Sequence, residues 1–114
     1  MNEIKIDNNS LFIGNNQITF EDKIMEVKID GDKIFVLLHI TPRKKLDYDD
    51  CHNIYCYNNH GEKIWQIGQR PNGDDTVFIS IDLVDSMLYA NDFLGRRFLV
   101  NKESGKIEKM YITK

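Results

Sequence analysis

The chain has 114 residues, 41% hydrophobic and 29% charged, with a formal net charge of −3. That is the length of one domain and the composition of a globular protein with one modest core. No apolar run approaches a membrane span, and the opening MNEIKIDNNSLFIG lacks the basic-then-apolar order of a secretory signal, so the sequence predicts a cytoplasmic protein with no membrane partner and with Cys51 and Cys56 reduced.

Residues 3–7 alternate apolar and polar side chains and predict a short strand, broken at Asn8-Asn9. Residues 11–13 and 17–20 flank Gly14-Asn15-Asn16, which accept the positive φ of a hairpin turn. Residues 24–29 alternate and stop at Asp30-Gly31, a strong hairpin signal. Residues 34–40 (IFVLLHI) are almost wholly apolar and too few for a typical helix. They predict a strand covered on both faces, with His39 a buried, hydrogen-bonded histidine and Pro42 ending the run. Residues 41–52 (TPRKKLDYDDCH) form the longest turn-like stretch.

Residues 53–68 (NIYCYNNHGEKIWQIG) predict two strands around a turn at Asn59-His60-Gly61. Residues 69–76 (QRPNGDDT) are a second long loop, where Pro71 fixes φ and Gly73 permits positive φ. Residues 77–83 alternate, with Val77, Ile79, Ile81 and Leu83 on one face and Phe78, Ser80, Asp82 and Val84 on the other. Residues 87–92 and 106–113 complete the strands, with turns at Asp85-Ser86, Leu94-Gly95-Arg96 and Gly105. No segment shows capped helical periodicity, so the chain is predicted all-β and antiparallel.

The stretch 53–68 returns as RFLVNKESGKIEKM at residues 97–110. Tyr55 aligns with Phe98, Asn58 with Asn101, Lys63 with Lys106 and Ile64 with Ile107, an offset of 43. A period of about 40–45 residues is that of a four-stranded propeller blade. Phe35-Val36-Leu37 falls on Leu88-Tyr89-Ala90 at an offset of 53, which places an insertion in the 41–52 loop of the first copy. Such insertions either build a binding face or are tolerated surface loops.

The stretch NIYCYNNHGEKIWQIG, with its Asn58, Gly61 and Trp65, resembles the third and fourth strands of a propeller blade of the pyrroloquinoline-quinone or WD-repeat kind. From about Gln17 onward the chain resembles small bacterial half-β-propeller proteins. Some of these are immunity proteins of contact-dependent growth inhibition, which bind and block the nuclease domain of a toxin from neighbouring cells. The resemblance implies a single domain over residues 1–114: an N-terminal hairpin within 1–23, then two four-stranded blades, 24–68 and 76–114. It supplies no catalytic residues. Two blades cannot close a propeller, so no cofactor site at its axis is implied. A blade face without a neighbour must be polar, covered by the N-terminal hairpin, or covered by a partner.

The chemistry-bearing residues do not assemble into a reaction. Cys51, His52, Cys56 and His60 lack zinc-site spacing, so no metal is expected. Nothing brings His39 and His60 together for acid–base work, and there is no phosphate-cradling loop or nucleophile elbow. Cys56 reads as a small core residue and Trp65 as a wedge between blades. Neither catalytic residues nor a cofactor are expected.

Charge is more informative. Asp74, Asp75, Asp82, Asp85 and Asp92 fall between residues 71 and 95, a segment without Lys, Arg or Glu, while bases outnumber acids in the rest of the chain. Such a segment repels nucleic acid. It either forms turns and solvated strand positions or faces a basic partner. A nuclease site must be basic to attract phosphate, and an inhibitor can imitate the substrate with carboxylates. The candidate partner-binding residues are Asp74, Asp75, Asp82 and Asp92, with Asp47, Asp49 and Asp50 on the first long loop beside Tyr48, a possible aromatic anchor. The expected function is that of an immunity protein occluding a nuclease toxin domain, without enzymatic activity. The alternative is a structural or self-associating interaction module.

Overall fold

A computed structural model describes residues 3–41, 45–71, 73 and 76–112. Its strands form three antiparallel sheets, each an up-and-down meander. Sheet one holds β1 (Ile4–Asp7), β2 (Ser10–Ile13) and β3 (Asn16–Thr19). Sheet two holds β4 (Ile24–Asp30), β5 (Lys33–Leu38), β6 (Ile54–Asn58) and β7 (Lys63–Gln66). Sheet three holds β8 (Phe78–Val84), β9 (Met87–Asp92), β10 (Arg96–Val100) and β11 (Ile107–Ile112).

Two local expectations are corrected. Asn8-Asn9 ends β1 as expected, but Asn8, with a φ of 55°, turns the chain back so that β1 pairs with β2, and the expected N-terminal hairpin is a three-stranded sheet. Inside the 41–52 stretch stands one helical turn, α1 (Tyr48–Cys51). Asp47 caps it by accepting from Asp50 N–H at 2.8 Å, and Asp50 accepts from Asp47 N–H at 3.0 Å, a complete capping box. Four residues are too few to display helical periodicity, so only the caps could have announced it.

The three sheets stack around two apolar layers. Leu11, Ile13 and Phe20 meet Ile34, Val36, Leu38 and Tyr57 between sheets one and two. Phe35, Leu37, Ile54, Cys56, Trp65 and Ile67 meet Phe78, Ile81, Leu88, Ala90, Phe98 and Val100 between sheets two and three. Each fully covered side chain contributes about 1.5–3 kcal/mol. β5 feeds both layers: Ile34 to Leu38 are all at most 5% exposed, as its unbroken apolar run requires. Trp65 is 6% exposed, wedged in the second layer, with Nε1 donating to Lys102 O at 2.8 Å.

Sheets two and three share their irregularities as well as their order. The pairs Ile24↔Leu38 and Glu26↔Leu37 correspond to Phe78↔Asp92 and Ser80↔Asn91, each register skipping one residue between the two pairs. Met25 and Ile79 are therefore matching β-bulge residues. A second shared bulge lies between Cys56 and Tyr57 in one sheet and between Leu99 and Val100 in the other. The first two strands thus correspond at an offset of 54, where the apolar pattern alone suggests 53. The difference matters, because a slip of one residue exchanges the faces of a strand. At 54, the side of sheet two that meets sheet one (Ile34, Val36, Leu38) matches the side of sheet three that meets sheet two (Leu88, Ala90, Asp92). Each four-stranded sheet turns the same face to its predecessor.

Polar contacts fix the stack. Asn53 is fully buried. Its Nδ2 donates to Leu38 O (2.8 Å) and Phe78 O (2.9 Å), and its Oδ1 accepts from Phe78 N–H (2.9 Å), joining sheet two to sheet three. Ile81 N–H donates to Glu26 Oε1 at 2.9 Å, linking β8 to β4. Lys102 pairs with Asp30 (2.5 Å) and Lys33 with Glu103 (3.2 Å), fastening the β10–β11 turn over the β4–β5 turn.

Candidate functional site

Between sheets one and two lies an opening of about 240 Å³ with an acidic rim. The segment that leaves β3 brings Glu21 and Asp22, and α1 with its cap brings Asp47, Asp49 and Asp50. Tyr55 and Tyr57 form part of its wall beside Phe20, whose ring centre is 5.6 and 6.0 Å from theirs. Burial, followed by the field of Asp49, Tyr57, Asp22 and Asp47, pushes the Tyr55 phenol up to about 12. Gln66 Nε2 links the parts, donating to Asp49 Oδ1 (3.1 Å), His52 O (3.0 Å) and Tyr55 Oη (3.2 Å). Among the described residues no lysine or arginine lines the opening, although Lys63 Nζ stands 5.3 Å from the centre of the Tyr55 ring.

A second, larger groove of about 380 Å³ lies between sheets two and three and is almost wholly apolar. Its exposed members include the two bulge residues, Met25 (48% exposed) and Ile79 (42%), together with Phe93 (70%). Bulges re-aim side chains out of a sheet's alternation. Here they turn two large apolar groups away from the core, so Phe78 and Ile81 face inward while Ile79 does not, which corrects the strict alternation expected for 77–83. Thr41 and Leu46 of the first long loop line the same groove as Thr76, the last residue of the second, and Val77 after it, so the two loops border one groove. Ile40 lines both the groove and the acidic opening, making them neighbours on one end of the molecule.

The predicted site residues are only partly united. Asp47 and Asp49 reach the acidic opening, and Tyr48, 58% exposed, lies beside them with its ring stacked on His52 at 3.8 Å. Asp50 borders the opening but is 5% exposed and committed to the capping box, which removes it as a surface contact. Asp92 is likewise corrected: it is 1% exposed and its carboxylate receives Arg96 (2.8 Å) and Arg70 (3.4 Å), with Arg70 also lying over the Phe78 ring at 3.8 Å. A carboxylate so placed belongs to the core of sheet three. Asp82 lies on the far face of that sheet, held below the usual carboxylate range by the Arg97 guanidinium at 2.8 Å. Asp74 and Asp75 lie outside the described residues.

Glu21 and Asp22 lie outside the acidic segment 71–95; their signal in the sequence is an acidic pair in the connection between two strand groups. His39 is exposed rather than buried. Cys51 and Cys56 are free and buried, and burial pushes the Cys56 thiol up to about 11. Among the described residues no three His, Cys, Asp or Glu side chains are placed to hold a metal ion, and no helix is long and apolar enough to cross a membrane.

Residues 1–112 match a family model described as a domain of unknown function (DUF7957). No curated protein matches the chain.

Proposed function

The chain belongs to the DUF7957 family, a membership that states no activity, and from the geometry we propose a binding protein that occludes a basic site on a toxin domain, as do the immunity proteins it resembles. The observation that carries this reading is the sharing of Ile40 by an acidic opening and an exposed apolar groove. An apolar centre beside a charged, aromatic-bearing rim is the anatomy of a protein interface. The acidic side fits lysine or arginine side chains that otherwise hold nucleic-acid phosphates, and Met25, Ile79 and Phe93 fit the apolar surface around them. The same proposal takes the stacked sheets as a half-β-propeller, supported by the shared bulges and the repeated direction of stacking. It places the protein in the cytoplasm, where a nuclease toxin acts.

The test starts from the neighbouring reading frame, which this proposal expects to encode a toxin with a C-terminal nuclease domain, and uses that domain as the probe. Titrating it with the protein should abolish nuclease activity near equimolar ratio. Glu21→Lys combined with Asp49→Lys should raise the inhibition constant at least about tenfold, most strongly at low salt. Equal inhibition by wild type and double variant would remove the acidic opening from the mechanism.

A further inference from the structure

The residues that sheet two uses to build the layer against sheet three have counterparts in sheet three itself. The shared registers place Tyr89 at the position of Phe35, Asn91 at Leu37, Arg97 at Ile54, Leu99 at Cys56 and Lys109 at Trp65. In sheet two all five are at most 6% exposed and apolar. In sheet three the same five positions form the outer face, and three of them are charged or polar where sheet two is hydrophobic.

They are also bound to one another. Arg97 Nη1 donates to Asp82 Oδ2 (2.8 Å) and Asn91 Oδ1 (3.0 Å). Asn91 Nδ2 donates to Asp82 Oδ2 (3.0 Å) and Ser80 Oγ (2.9 Å), and the Arg97 guanidinium lies 4.3 Å over the Tyr89 ring. Arg97 and Asp82 also remain partly hydrated, so an apolar sheet laid on this face would strip water from both charges and offer no new partner in return. Stacked-repeat proteins require a polar outer face on their last repeat.

We propose that the Asp82–Asn91–Arg97 cluster is an end cap: it stops the stacking that sheet two undergoes and keeps the chain a single three-sheet unit. The inference stands whether or not the partner reading above holds. The outer face of sheet one, the row Lys5, Phe12 and Gln17 with Asp7, Ser10 and Thr19, is largely polar too. An uncapped third sheet would therefore meet another uncapped third sheet, giving a two-fold dimer rather than a fibre.

Sedimentation velocity tests this on the full chain, with near-ultraviolet circular dichroism as the check on folding. Asn91→Leu with Arg97→Ile restores the residues sheet two carries at those positions. The double variant should dimerise with an apparent dissociation constant at least about tenfold below that of the wild type, which should run as a monomer. Should the double variant not fold, Lys109→Ile, at an exposed position of the same face, decides in its place. A folded variant that stays monomeric, or a wild-type protein that dimerises until Arg97→Glu separates it, would overturn the cap.

Discussion

At Gly105 one hydrogen decides whether the last turn of sheet three can close over Trp65. Its φ is 76°, and a Cβ there would stand 2.5 Å from Trp65 Cε3. Gly31 has a similar φ of 61° but nothing within 4 Å of its would-be Cβ. Both alanine variants carry the left-handed backbone cost of roughly 1–2 kcal/mol. Gly105→Ala should lose about 1–3 kcal/mol more from overpacking, read as a lower urea midpoint by Trp65 fluorescence. Equal losses at the two glycines would mean that the ring and the turn are not in contact. Asp82 makes a smaller, pH-dependent contribution. Its folded pKa lies below its ordinary value, so the Arg97 contact stabilises fully above the unfolded pKa of about 3.9 and is lost as pH falls through the folded one. With both side chains partly exposed, the difference between wild type and Asp82→Asn should stay within about 1 kcal/mol at neutral pH and fade in acid.

Between elements, Asn53 is the most consequential polar residue. Its three side-chain hydrogen bonds tie the start of β6 to the end of β5 and the start of β8. Asn53→Ala leaves two carbonyls and the Phe78 N–H without these partners inside the protein, and should cost about 2–4 kcal/mol in urea unfolding. A loss below about half a kcal/mol would show that water replaces the amide, which it can do only where the site opens. Turns are the elements most legible in the sequence, because their chemistry is local: Asp30-Gly31 takes its positive φ where expected. Bulges are not. Met25 and Ile79 look like ordinary members of alternating strands, and only the pairing register reveals that each is an inserted residue. The helical turn α1 is invisible for a different reason: its stability lies in a capping box and in buried Cys51 rather than in a periodic stripe.

For the whole molecule, the repeated half-sequence foretells two similar sheets, but not which face each turns to the other. The offset of 53 aligns Phe35 with Leu88 because both feed the same apolar layer, from opposite sides. Chemistry matches there while geometry does not, and that is how a one-residue error hides. The candidate site divides along the same line. Asp47 and Asp49 are found from the sequence because a charged loop is a local signal. The burial of Asp92 is not, since Arg70 arrives from a distant loop to join Arg96 of the next turn, and Glu21 and Asp22 join the surface only once sheet one packs on sheet two.

The outer face of sheet one is largely polar and that of sheet three has a charged cluster at its centre, so the end that carries Ile40 is where this fold offers a partner an apolar centre with charge beside it. Amide hydrogen exchange on the complex with the proposed nuclease partner would test that assignment. Exchange should slow at residues 18–22, 38–41 and 47–50, with β9 to β11 unchanged. Protection confined to the Tyr89 and Arg97 face of sheet three, with residues 18–22 and 47–50 exchanging as in the free protein, would contradict it.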